Sequence, residues 1–242
     1  MKKYGLLIQF LLVTSLTVFL YGFAAHRSAL KNEGGIQVEF ANGENLFITY
    51  ETVNKLLIQK LEADGNQQKE NINLKNLEDF LNGHAMIENA EIFKTISGEL
   101  GAIITQRTPV LRVTSDTETY YYDKLGVKMP LSDNYSARVP ITTDTISGTG
   151  RYDLITLSNR IRNDEFLRKQ IIGVDLIEKD RSFQFELKTR VGDQKILFGD
   201  LNGMEQKIAK LKVFYKKTLQ DSTVDDYKTI NLKFDNQIVC EK

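Results

Sequence analysis

The sequence has one cysteine, two histidines and no tryptophan among 242 residues, and its 32 basic side chains are matched by 32 acidic ones. A single thiol, Cys240, excludes an internal disulfide framework and any metal site built from several cysteines. Metal or triad chemistry needs several convergent His, Cys or carboxylate groups, and His26 and His84 have no motif around them. An excess of one charge is also missing. Residues 1–31 hold Lys2, Lys3, Arg27 and Lys31 and no acid, which leaves 28 basic against 32 acidic side chains, a net of −4, for residues 32–242. Nucleic-acid binding draws on clustered Lys and Arg, so no nucleic-acid partner is expected. There is no internal repeat and no low-complexity segment. With 41% hydrophobic and 26% charged residues, the chain has the composition of a folded protein long enough for one or two domains.

One long apolar run is present. From Tyr4 to Ala25 there are 22 residues without a charge, and about 20 helical residues span a bilayer core at a 1.5 Å rise each. Phe23-Ala24-Ala25 imitates a signal-peptide cleavage site, but the apolar region of a signal peptide is shorter, about 7–15 residues. The run is therefore expected to be a retained single-pass anchor, with residues 1–31 comprising a short tail and the anchor. Lys2 and Lys3 favour a cytoplasmic N-terminus under the positive-inside rule, against Arg27 and Lys31 on the far side.

Beyond a polar hinge at Lys31 to Gly35, Ile36, Val38 and Phe40 alternate with polar residues as a half-buried strand does. Thr52 stands before Val53, Leu56, Leu57 and Leu61 on one helical face. Leu74, Leu77, Phe80 and Leu81 give a second helix ending near Asn82-Gly83. Two strand-like stretches follow, Ala85–Thr95 and Leu100–Arg107, so the first unit reads as a compact β-α-α-β-β arrangement. From Pro109 the pattern is mostly strand and turn, interrupted by Pro130 and Pro140, with helical stripes at Leu154, Leu157, Ile161 and at Met204, Ile208, Leu211, Tyr215. The outer face of that last helix is read as Lys207, Lys210, Lys212 and Lys216. Ile230, Leu232 and Phe234 alternate with Asn231, Lys233 and Asp235, and Ile238 to Cys240 close the chain. The fold class is α+β, with two folded units and a boundary near Thr114.

Catalytic material is sparse. His26 reads as an interfacial residue and His84 as part of a helix-to-strand turn. Cys240 lies two residues from the end, where a nucleophile would lack a pocket. Gly148-Thr149-Gly150 opens like a nucleotide-binding loop, but no Gly-Lys-Ser/Thr follows. Asp225-Asp226 reads as a solvated turn, and Asn134-Tyr135-Ser136 as a chance match to a glycosylation acceptor. No catalytic residue, cofactor or metal is expected. What remains is surface for binding: a chain ending in a strand leaves backbone N–H and C=O groups at a sheet edge, where a partner strand can add. Lys233 and Asp235 could equally blunt that edge.

Three stretches carry a family resemblance. The first is Arg107-Thr108-Pro109-Val110-Leu111-Arg112-Val113 with Tyr122-Asp123-Lys124-Leu125-Gly126-Val127. The second is Arg190-Val191-Gly192-Asp193 through Ile196-Leu197-Phe198-Gly199-Asp200, before the lysine-rich helix. The third is Ile230 through Cys240. Together they resemble the FtsQ/DivIB family of single-pass bacterial cell-division proteins, in its Bacteroidetes-type branch, over essentially the whole chain.

The resemblance implies a POTRA (polypeptide-transport-associated) domain over residues 36–114 and the family's β domain, with a C-terminal edge strand, over residues 115–242. It implies a non-catalytic scaffold of the divisome at the inner membrane and septum, with the bulk of the chain periplasmic. The β domain would bind the coiled-coil division proteins FtsB (DivIC) and FtsL, and the POTRA domain would help recruitment through other divisome proteins. By position, partner binding carries over to Lys233, Phe234, Asp235, Asn236, Gln237 and Ile238, with support from Lys210 and Lys216. The short tail departs from longer members, and the tryptophan found past the last strand in some members is absent. The alternative is a membrane-tethered POTRA chaperone or protein-transport component. An envelope enzyme would require Asp225, Asp226 and a further carboxylate to cluster in a deep pocket.

Overall fold

The computed structural model describes residues 11–22, 36–41, 43, 45–65, 72–96, 98–143, 149–179, 182–235 and 237–242. Residues 11–22 are helical (α1) and uncharged, and their side chains are exposed throughout. The hydroxyls of Thr14 and Thr17 donate to the carbonyls of Leu11 and Thr14 within the helix. Among the described residues no helix is long and apolar enough to cross a membrane. The rest of the expected span, 4–10 and 23–25, lies outside the described residues, as does the hinge at 31–35.

The chain divides into two compact units. One comprises Met1–Asn45, Thr49–Gly83 and Asn89–Thr105; the other comprises Leu46–Ile48, His84–Glu88 and Gln106–Lys242. The first holds a three-stranded sheet in the order β1-β3-β2, formed by β1 (Gln37–Phe40), β2 (Ile87–Lys94) and β3 (Leu100–Gln106). Strands β1 and β3 are parallel, with Gln37 opposite Gly101 and Phe40 opposite Ile104. Helix α2 (Tyr50–Ala63) starts two residues earlier than the Thr52 position suggests, because the Thr49 side chain accepts from the Thr52 N–H at 3.2 Å. Helix α3 (Leu74–Asn82) is capped by Asn73 and stops at Gly83. Both helices bury one apolar stripe, Val53 and Leu57 from α2 and Leu77 and Leu81 from α3, in the same unit as Ala90, Ile92, Ala102 and Ile104 of the sheet.

The second unit is a nine-stranded sheet in the order β12-β11-β10-β9-β8-β7-β4-β5-β6. Its strands are β4 (Pro109–Thr114), β5 (Thr119–Asp123), β6 (Lys128–Met129), β7 (Ile141–Thr142), β8 (Ile171–Lys179), β9 (Ser182–Thr189), β10 (Lys195–Gly199), β11 (Thr229–Asn231) and β12 (Val239–Glu241). The expected boundary near Thr114 falls inside the β4–β5 ladder, so Pro109–Thr114 sits in this sheet. Parallel neighbours need a crossover, and both helical crossovers are visible. Helices α4 (Thr149–Arg162) and α5 (Leu167–Gln170) connect parallel β7 and β8, and α6 (Met204–Gln220) connects parallel β10 and β11. Leu154, Leu157 and Ile161 of α4 and Ile208, Leu211 and Tyr215 of α6 pack with Val110, Val174, Phe185, Ile196, Phe198 and Ile230 of the strands. Each fully buried side chain of this kind contributes roughly 1.5–3 kcal/mol.

The alternation after Ile230 predicts one uninterrupted terminal strand, and here the structure differs. Strand β11 ends at Asn231, the chain turns, and β12 returns antiparallel to it, pairing Thr229 with Glu241, Ile230 with Cys240 and Asn231 with Val239. Leu232 is buried, and its N–H donates to the carbonyl of Leu197 at 3.0 Å, holding the chain on the sheet before the turn. The Lys233 N–H then donates to Asn231 Oδ1 at 3.0 Å, a local bond that bends the backbone out of the strand.

Candidate partner-binding edge

The sheet edge at β12 is built by α6, the β11–β12 turn and β12 itself. Helix α6 starts behind the left-handed Gly203 and is anchored by Ile208, Leu211 and Tyr215, all buried. The Tyr215 hydroxyl donates to Gln194 Oε1 at 3.1 Å, and Gln194 Nε2 donates to the Val224 carbonyl at 2.7 Å. Burial raises the Tyr215 pKa, keeping the phenol neutral as that bond requires. The start of α6 is pinned by Lys207, whose ammonium reaches both the carboxylate and the carbonyl of Asp200 at 2.9 Å. That pairing holds the Asp200 carboxyl below its usual range.

Lys207 is therefore buried, 8% exposed, and not on the outer face. Its stem runs inward and its ammonium lies 5.4 Å from the Phe198 ring centre, so the helical stripe misassigns it. Lys212 is half-buried and pairs with the buried Asp164, which also accepts from the backbone N–H of Leu167 and from Arg160. Burial alone would raise the Asp164 pKa, but these donors hold it below its usual value. Of the four lysines expected on the outer face, Lys216 alone is exposed and makes no ion pair among the described residues.

Lys210 is engaged within the fold. Its Nζ donates to the carbonyls of Phe234, Asp235 (3.3 Å) and Leu232 (3.5 Å). Lys233 crosses the sheet surface, its Nζ donating to Gln184 Oε1 of β9 at 2.8 Å. Its stem passes Gly199, whose φ is +78° and where a Cβ would stand 3.1 Å from Lys233 Cγ; only glycine suits both constraints. Phe234, Asp235 and Gln237 lie in the turn and are exposed, Ile238 packs partly on the core, and Asn236 lies outside the described residues. The expected site residues 233–235, 237 and 238 thus lie in a turn beside the edge, and the strand that ends the described sheet is Val239–Glu241. With a neighbour on one side only, β12 turns half of its backbone polar groups away from the sheet. Sequence reading missed one support, Gln184 of β9, because it is 49 residues from the turn it holds.

The residues weighed for chemistry have structural partners. His84 Nδ1 accepts the Met86 N–H at 3.2 Å, and burial lowers its pKa, so the ring is the neutral acceptor this bond needs. Burial pushes the Cys240 thiol up, away from the reactive thiolate. Asp226 pairs with Lys242 at 3.7 Å. Ser136 Oγ lies 3.4 Å from the Tyr121 hydroxyl. Thr149 and Gly150 open α4, while Gly148 and His26 lie outside the described residues. Among the described residues no three His, Cys, Asp or Glu side chains are grouped to hold a metal ion.

Residues 108–241, more than half of the chain, match the family described as FtsQ/DivIB, C-terminal related. The chain belongs to the FtsQ/DivIB family. Residues 35–105 match a POTRA-like domain. No curated protein matches the chain. In this FtsQ/DivIB-type protein the Arg-x-Pro junction and the Tyr-Asp turn are one device. Arg107 Nη1 donates to Asp123 Oδ2 at 2.8 Å, while Asp123 Oδ1 accepts the N–H groups of Leu125 and Val127 at 2.9 and 2.8 Å. The turn closes through Gly126 at a φ of +79°.

Proposed function

We propose that this protein is a non-catalytic scaffold of bacterial cell division. It is held in the inner membrane by the apolar run 4–25, with its bulk on the periplasmic side at the septum, and it binds FtsB/DivIC-like and FtsL-like coiled-coil proteins through its C-terminal edge. The observation that carries this reading is the β12 edge in a chain of the FtsQ/DivIB family: a short strand with no neighbour on its outer side among the described residues, flanked by an exposed aromatic on the turn before it. A partner strand adding there gains main-chain hydrogen bonds, with side chains beside the strand giving selectivity. Phe234 (46% exposed) and Val239 (38% exposed) offer apolar contact, and Lys216 and Lys233 favour an acidic partner segment. Such charges act on encounter rate and partner choice more than on affinity. Lys233, Phe234, Asp235, Asn236, Gln237 and Ile238 then serve as the shoulder of the site, and the POTRA-like domain meets other divisome proteins.

The test is a titration of the full chain with the DivIC-like protein of the same cell. Phe234→Asp places a charge where the partner's apolar surface would sit. Its dissociation constant is expected to rise at least tenfold, about 1.4 kcal/mol, with unfolding of the POTRA-like unit unchanged. An unaltered affinity contradicts the assignment.

A further inference from the structure

Lys210 sits on α6 one residue before the fully buried Leu211 and two after the buried Ile208, so the base of its side chain is fixed by the core. An ammonium has three hydrogens to donate, and three carbonyls, those of Leu232, Phe234 and Asp235, surround this one. Among the described residues no carboxylate pairs with it. Backbone carbonyls from a four-residue stretch converge on one point only if the chain wraps around that point, so the charge defines the path of the turn. The strand that follows depends on that path. Strand β12 has only three ladder pairs with β11, too few for independent stability.

We propose that Lys210 is a positioning residue: its ammonium gathers the turn between β11 and β12 and so sets β12 at the sheet edge, instead of reaching the partner. This rests on the reading that the β12 edge is where the partner binds. It separates two lysines that the sequence pattern treats alike. Lys216 points to solvent and is available to a partner, whereas Lys210 has its donors consumed within the fold. Lys233 is intermediate, its ammonium held by Gln184 and its N–H by Asn231.

The experiment is hydrogen exchange on the full chain in detergent, comparing Lys210→Met and Lys216→Met with the unaltered protein. Methionine keeps the length and apolar stem and removes the charge. Lys210→Met is expected to speed exchange of the Val239–Glu241 amides at least tenfold while β8 and β9 keep their protection, and Lys216→Met to leave all of them unchanged. Unchanged protection of Val239–Glu241 in Lys210→Met overturns the proposal. If that variant loses protection across the whole sheet, Lys210→Gln, which retains an amide donor for one carbonyl, decides. A partial increase confined to Val239–Glu241 supports the positioning role, and an increase across the sheet overturns it. Titration with the DivIC-like protein separates the two claims. Faster exchange at β12 with unaltered affinity leaves the positioning role standing and removes the edge as the partner site.

Discussion

Asp123 is fully buried, and its two oxygens take Arg107 and two backbone N–H groups. Burying a carboxylate is costly unless it is paired and hydrogen-bonded, and removing one member of such a pair leaves the other stranded. Arg107 is itself only 13% exposed, and its Nε has no partner among the described residues, so Nη1 carries the pairing. Asp123→Asn keeps the shape and removes the charge. It is expected to lower the stability of the second unit by about 3 kcal/mol, read as a lower urea midpoint at an unchanged slope. An unshifted midpoint would show that the pair is not needed to close the turn. This turn was legible in the sequence because Leu125, Gly126 and Val127, which complete it, follow Asp123 directly. Lys207 was not legible. Its partner Asp200 is close by, but a lysine at helical spacing reads as surface until the chain's path is known.

At the scale of elements, periodicity located α2, α3 and α6, whose apolar positions repeat with the helical period. It failed where tertiary contacts decide. Strands β6 and β7 are two residues each and leave no periodic trace, although β7 joins β4 to β8 within the sheet. The turn after β11 is held by the local bond from the Lys233 N–H to Asn231 Oδ1 and by an ammonium supplied from α6, 22 to 25 residues away, which no local pattern announces. The reverse case lies in the first unit. Strand β2 ends its sheet, but Asn82 Oδ1 accepts the Ala90 N–H at 2.8 Å and Glu78 Oε1 accepts the Ile92 N–H at 3.0 Å. Helix α3 thus occupies backbone donors of an edge that would otherwise invite another strand. Truncating both, as Glu78→Ala with Asn82→Ala, is expected to speed exchange of the Ala90 and Ile92 amides about tenfold and to cost about 1 kcal/mol per bond. Exchange at the unaltered rate would mean that these side chains do not protect the strand.

For the whole molecule, the described sheets present four terminal strands: β1, β2, β6 and β12. Strand β2 is occupied by α3, and β6 has two residues. Strand β12 follows a turn that is fixed by Lys210 and Lys233, with Phe234 exposed beside it. On the proposed reading, the C-terminal edge is the place where a partner strand adds in this member of the FtsQ/DivIB family. The most direct test is in-cell photo-crosslinking from Val239, with a second position at Phe93 of β2 and the captured protein identified by mass spectrometry. Capture of a DivIC-like or FtsL-like coiled-coil protein from Val239, and not from Phe93, is the expected result. Capture of that protein from Phe93 alone, or of unfolded or barrel-forming clients from Phe93 with nothing from Val239, would contradict the assignment and favour a transport role.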